Sequence, residues 1–365
     1  MVISRIEIYK FSIPMHPFTI ATGTMHFAQN ILVRVSTDTD LSGLGECSAF
    51  PMIVGETQNT CFEMAREFAG LWKGKDPLMR DERLGELDSF TAFNSTIKSA
   101  FDMALFDLAA KDAGLPLYRF LGGKRRELET DLTIGIGTPQ QMAAQAADYK
   151  ERGVRIIKIK LGKDARTDVL RVAEVRKAVG ASIKLRIDAN QGWTYDDAVR
   201  VLQEVGNLDI EFCEQPMRTW DDEHLPELRK KSPVKIMADE SVFDHHDAKR
   251  IIQARACDYI NIKMAKSGGI AEAKKICNVC SAYGVPCMMG GMLESKLALT
   301  AFAHFVLAQD GIVFYDMDTC LLGHKVDPVI GGVRFKDFCL EIPDAPGIGA
   351  EPDPQFLRHC ERIEI

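Results

Sequence analysis

From residue 131 onward the chain alternates short β-rich runs with longer segments whose apolar residues recur every three or four positions. The runs fall at 131–136, 155–160, 183–188, 209–213, 234–238, 258–263, 285–289 and 311–315, with starts roughly 24–28 residues apart. Helix-period segments such as 166–179 and 269–283 fill the gaps. Strand alternating with helix implies parallel strands joined by right-handed crossovers, and eight such strands can close a barrel. An open doubly wound sheet is the alternative, but no glycine-rich phosphate loop follows the first run. The pattern therefore predicts an α/β barrel.

The first 125 residues keep a different rhythm. Residues 1–10 and 30–37 look like strands, and LSGLGECSAF reads as a glycine-punctuated turn and strand. Two helical stretches follow, the second being STIKSAFDMALFDLAAKDAG, which Gly114 and Pro116 stop. The expected organisation is an α+β domain over 1–125 and a catalytic barrel over 126–329. The strand-like tail, 330–365, is expected to return to the first domain.

Composition narrows the function classes. A length of 365 residues exceeds the ~250 of one α/β barrel by enough for a second unit. With 46% hydrophobic and 27% charged residues, the chain can bury a sizeable core and is not a disordered segment. The net charge of −7, with both signs interspersed, argues against a nucleic-acid partner. The N-terminus has no apolar core of a secretory signal, and no apolar run approaches the ~20 residues of a membrane helix. Ten cysteines without a regular framework fit a reduced, cytoplasmic setting. Cys277 and Cys280 form one CxxC, read as structural because it lies in helix-like sequence. A homo-oligomer is compatible with all of these features, and the sequence does not choose.

The chemistry lies where the predicted strands end, which is where barrels of this kind form their sites. The second strand ends in IKIKLG, and a period of two puts Lys158 and Lys160 on one face. Like charges so close disfavour double protonation, making one lysine the easier neutral base. Two solvated lysines at a strand end is the bland alternative. The next three strands end in RIDANQG, EFCEQP and MADES, supplying Asp188, Glu214 and Asp239. One Asp alone could cap a helix, but three converging carboxylates call for a cation, and hard oxygen ligands suit Mg²⁺. Asn190, on the parity of Asp188, is placed to support the metal shell or the substrate. The sixth strand carries Lys263 near its end, with Lys266 just beyond. Strand two faces strand six across a barrel, so Lys160 and Lys263 would flank whatever the metal holds. That arrangement suits removal of a proton from one face of a carbon and its return to the other, through a stabilised enediolate. A Schiff-base lysine is the competing use, and it would not require three carboxylates.

Taken together, KIK, DAN, EQP, ADES and NIKMAKSGG, in this order and spacing, resemble the enolase superfamily, specifically its muconate-lactonizing subgroup. The resemblance covers nearly the whole chain and includes AFDMALFDLAAKDAGLPLYRFLGG, similar to the family's capping-domain helix and its exit. It implies a (β/α)7β barrel with an α+β capping domain and Mg²⁺ on Asp188, Glu214 and Asp239, with Lys160 acting on one face and Lys263 on the other. Superfamily sites of this type are known to combine a lysine or histidine base with metal ions. The subgroup includes cycloisomerases, o-succinylbenzoate synthases, N-acylamino acid racemases and dipeptide epimerases.

Within that subgroup the last strand, GIVFYDMDTC, is the discriminating feature. Asp316 and Asp318 are two apart, project to one side and would suit a substrate ammonium group. They resemble the Asp-x-Asp motif by which dipeptide epimerases hold the free amino terminus; the bland alternative is a helix cap facing water. The resemblance further implies that Thr133 touches substrate and Lys158 donates to its carboxylate. Met292, or Glu294 in the same GGMLES segment, lines the site. Members acting on Ala–Glu carry an arginine in the first loop, whereas PFTIATGTMHF has Thr22, Gly23 and Thr24 there. Phe18, Ile20, Met25, Phe27 and Ile53 in and near the two N-terminal loops, around 16–29 and 50–57, point to small or apolar dipeptides such as Ala–Ala. The sequence therefore predicts a Mg²⁺-dependent dipeptide epimerase, with the other subgroup activities, or a metal-dependent binding protein without turnover, as alternatives.

Overall fold

A computed structural model describes all 365 residues, Met1–Ile365. The C-terminal part is an eight-stranded parallel sheet whose strands neighbour one another in chain order. These are β4 (Leu132–Ile134), β5 (Ile156–Lys160), β6 (Lys184–Asp188), β7 (Ile210–Glu214), β8 (Ile236–Ala238), β9 (Tyr259–Ile262), β10 (Cys287–Gly290) and β11 (Ile312–Asp316). Every one of the eight runs expected from periodicity forms a strand. The two ends of the sheet meet where the Asp131 amide donates to the Tyr315 carbonyl at 3.2 Å and the Met317 amide to Thr130 Oγ1 at 2.9 Å. The result is a nearly closed barrel ringed by helices.

Alternation along each strand decides what enters the barrel. Outward residues such as Ile157, Ile159, Leu185 and Ile187 pack against the helices. Inward ones form two layers. The lower is an apolar floor of Phe212, Met237 and Met288 with Tyr259 and Phe314 packed on it. The Arg186 guanidinium stacks 5.3 and 5.1 Å from the Phe212 and Phe314 rings. The upper layer, at the carboxyl ends of the strands, carries the charged residues. A plugged floor confines the chemistry to that mouth.

The N-terminal part is an antiparallel sheet made of β1 (Ile3–Ile20), β2 (Gly23–Thr37) and β3 (Ser42–Ser48). The C-terminal strand Arg362–Glu364 adds to it along β1. Its apolar face packs on the helices Gln58–Trp72 and Ser95–Asp112, with Trp72, Phe68 and Phe101 at the centre. Gly43 and Gly45 do not punctuate a turn as expected. They lie inside β3, where a Cβ at either position would collide with the backbone of Ala104 or Ala100. Glycine there lets the long helix lie directly on the strand. Residues 16–29, expected as a loop, are instead the tip of a long β1–β2 hairpin, with Phe18 opposite Met25 and a bulge between Pro14 and Phe18.

Candidate active site

The lysines and carboxylates read from the strand ends meet in one buried cluster. β5 and β9 lie four strands apart in the ring of eight, so Lys160 and Lys263 face each other across it. Asp188, Glu214 and Asp239 end or follow the three strands between them, and all three are fully buried. Lys160 Nζ lies 2.6 Å from Asp188 Oδ2, and Lys263 Nζ 2.9 Å from Asp239 Oδ2. Lys158, wholly buried, reaches three carboxylates: Glu214 at 2.6 Å, Asp316 at 2.7 Å and Asp188 at 3.2 Å.

The surroundings of Lys158 and Lys160 are set by more than their mutual proximity. Asp188 Oδ2 sits between them and contacts both. Burial alone would lower the Lys158 amine, but Asp316, Glu214 and Asp188 outweigh it and hold Lys158 well above its ordinary value. Lys263 is likewise raised, because Asp239 and Glu214 overcome the desolvation. The carboxylates respond in kind. Burial would raise Asp188 and Asp239, yet Lys160 lowers the first and Lys263 the second. Glu214, despite Lys158 at 2.6 Å, is pushed up to about 7 by burial and by Asp188.

The donors fit a hard cation. Glu214 Oε2 and both Asp239 carboxylate oxygens are buried without hydrogen-bonding geometry to any donor. Their lysine neighbours are close enough for attraction, but not aligned to bond. Orphaned buried carboxylate oxygens are costly unless something else takes them. Neighbouring side chains hold this trio in place. Asn261 Nδ2 donates to Glu214 Oε1 at 2.8 Å, and the Asn190 amide donates to Asp188 Oδ1 at 2.9 Å. Gln215 Oε1 accepts the amides of Asp239 and Ser241 at 2.9 and 3.2 Å. Lys266 Nζ donates to the carbonyls of Asp239, Val242 and Asn261 and lies 2.6 Å from Asp239 Oδ1. Asn190, Gln191 and Gln215 adopt left-handed backbone, with φ of 41°, 66° and 32°, at the turns leaving β6 and β7. Such conformations persist where surrounding contacts over-determine them, as they do here.

The remaining expected residues separate. Asp316 and Asp318 both face the mouth beside β4: Lys158 grips the first, and the Thr133 amide donates to Asp318 Oδ2 at 2.7 Å. Lys158 carries Asp316 down to about 2 against its burial, whereas burial and the neighbouring Asp316 charge push Asp318 up to about 7. Met292 turns its side chain into the main core, and its amide donates to Glu294 Oε2 at 2.7 Å, so the buried acid of that segment is Glu294. In the hairpin, Ile20 and Met25 are buried in the core while Phe27 is exposed, and Gly23 lies against Met52 of the second segment.

Four residues at the mouth or on its floor went unread: Asp131, Arg186, Glu240 and Asn261. Three share the inward parity of a residue that was read. Asp131 precedes Thr133 by two, Arg186 precedes Asp188 by two, and Asn261 precedes Lys263 by two. Applying the period one step below each strand end would have found them. Glu240 has no such signal; it is buried beside Asn190, and burial together with Asp239 pushes it up to about 8.

Comparison with known proteins identifies the family. Residues 4–122 match the family described as mandelate racemase / muconate lactonizing enzyme, N-terminal domain, and residues 141–356 match enolase C-terminal domain-like. The chain belongs to the mandelate racemase / muconate lactonizing branch of the enolase superfamily, and it is an isomerase. It is 40% identical over the full length of both chains to the D-Ala-D/L-Ala epimerase of Cytophaga hutchinsonii. To the L-Ala-D/L-Glu epimerase of Bacillus subtilis it is 38% identical over 96% of each chain. A crystal structure of the Cytophaga hutchinsonii dipeptide epimerase, complexed with Mg and D-Ala-L-Val, superposes with a TM-score of 0.98 over 100% of both chains at 40% identity. No helix of this chain is long and apolar enough to cross a membrane.

Proposed function

We propose that this protein is a dipeptide epimerase that inverts the α-carbon of the C-terminal residue by a two-lysine proton transfer. The observation that carries the reading is the placement of Lys160 and Lys263 on opposite sides of one carboxylate trio, with Asp316 and Asp318 on a third side. The relatives named as epimerases of Ala–Ala and Ala–Glu support the same class.

Asp188, Glu214 and Asp239 would hold Mg²⁺. Bound there, Mg²⁺ would offset the charge that builds on the substrate carboxylate. Lys160 and Lys263 are both nearly enclosed and reach the site from opposite sides. One lysine removes the α-proton, and the other, protonated, returns a proton to the opposite face. Lys158 orients the substrate carboxylate while bracing Asp316. Asp316 and Asp318, with Thr133 fixing the latter, hold the substrate ammonium at the far end. With no arginine in the hairpin tip, small or apolar second residues such as alanine suit the site better than glutamate.

The test is α-deuterium incorporation in D₂O with Mg²⁺ and a library of L,L- and D,L-dipeptides. Turnover of free dipeptides is expected. Replacing Asp316→Asn and Asp318→Asn together should abolish it; retention of full activity in that double variant would remove the ammonium role.

A further inference from the structure

Asp316 and Asp318 are not alone at their end of the mouth. Asp131 stands just before β4 on the inward parity, and one carboxylate oxygen from each of the three lies within 4.8 Å of the others. Each of the three is anchored through one oxygen. Arg186 Nη1 holds Asp131 Oδ2 at 2.8 Å, Lys158 Nζ holds Asp316 Oδ2 at 2.7 Å, and the Thr133 amide holds Asp318 Oδ2 at 2.7 Å. Asp131 Oδ1 is completely buried and has no hydrogen-bond partner. Such an oxygen is expensive unless a cation faces it.

We infer that Asp131 is the third carboxylate of the ammonium site, so that a free amino terminus is bound by three acids rather than two. The inference rests on the dipeptide reading above and deepens it. An ammonium group has three N–H donors, and three anchored carboxylates each leave one oxygen to receive them. A divalent metal is better served by the Asp188–Glu214–Asp239 trio, which leaves three buried oxygens without a hydrogen-bond partner against one here. Asp131 also ties the site to the barrel floor, since the Arg186 guanidinium that holds it lies over the Phe212 and Phe314 rings.

The experiment compares wild type with Asp131→Asn and Asp131→Thr in the full chain with Mg²⁺. The KM for L-Ala-L-Ala is expected to rise by about 10- to 100-fold while kcat changes less than about threefold, a split that a merely structural role would not produce. Equilibrium binding of L-Ala-L-Ala and its N-acetyl derivative reads the site without turnover: the preference for the free amine should shrink at least about tenfold in the variants, while the N-acetyl affinity holds. Unchanged KM and unchanged preference in a folded variant would overturn the role of Asp131. So would loss of one bound Mn²⁺ per chain on Asp131→Asn, which would make the cluster a metal site. Failure of wild type to exchange any α-proton, with the preference for the amine still dependent on Asp131, would sink the epimerase reading and leave this one standing.

Discussion

The barrel mouth and the seam between the barrel and the N-terminal sheet bury carboxylates equally deeply, yet treat them in opposite ways. At the seam, Glu46 of β3 reaches the start of the barrel helix Lys296–Leu307. It accepts from the amides of Ser295 and Ala298 at 2.9 and 3.1 Å, from Ser295 Oγ at 2.6 Å and from Asn30 at 2.7 Å. Asp102, on the helix Ser95–Asp112, likewise caps the barrel helix Ile270–Tyr283 by accepting from the amides of Ile270 and Ala271 at 2.5 and 3.2 Å. Gly269, at φ 118°, is required there because a Cβ would strike the Asp102 carboxylate. Every oxygen of these two acids is satisfied by donors near a helix N-terminus, where the dipole also favours negative charge. At the mouth, Glu214 and Asp239 keep oxygens with no aligned donor. Equal burial with unequal satisfaction separates acids that hold the fold from acids kept ready for a ligand.

Several measurements can break or sharpen that contrast. Chelation gives the largest effect expected: EDTA should abolish turnover and Mg²⁺ should restore it, and full activity in chelator would refute the metal role of the mouth carboxylates. Next comes Lys263→Ala, for which kcat should fall by about 10²–10⁴-fold. Its thermal midpoint should hold, and deuterium should still wash into one epimer through Lys160. A variant that melted early instead would make the mouth a structural network like the seam. Glu46→Ala should behave in the reverse sense. Three or more donors lose their acceptor, costing about 3–5 kcal/mol in denaturant unfolding, with kcat of the folded fraction little changed.

The smallest effect concerns His304, in the same seam. Its Nδ1 accepts the Tyr118 amide at 3.1 Å, and its Nε2 donates to the Ile348 carbonyl at 3.0 Å. Burial lowers it to about 4. A histidine whose folded value lies below its ordinary 6.5 keeps its full stability above about pH 6.5 and loses it as pH falls toward 4. The loss should be about 1–3 kcal/mol over that window, and His304→Gln should flatten the slope. An unchanged slope would place the acid sensitivity elsewhere.

How far the sequence reached depended on the distance over which each feature is decided. Periodicity located all eight barrel strands, and their polar ends located Lys158, Lys160, Asp188, Glu214, Asp239 and Lys263, because strand parity is a local property. Reading Gly43 and Gly45 as a turn failed because the reason for glycine lies in a helix some sixty residues further along. The environment of Lys158 is non-local for a related reason. Lys158 meets Asp316 across 158 residues of chain, and that meeting, not the nearby Lys160, sets its environment. The choice between Met292 and Glu294 is not local either: both are buried, and the Met292 amide donates to Glu294 Oε2.

By itself, then, the sequence determined the alternation that makes a parallel barrel, the residue types at its mouth and the family to which they belong. Each of these follows from neighbours in the chain. Only the tertiary structure decided which acids would be satisfied and which left open. Partners such as Glu46 and Ser295, or Asp131 and Arg186, are brought together by barrel closure and by docking of the sheet. Electrostatic environment depends on distances through space, which no local pattern encodes.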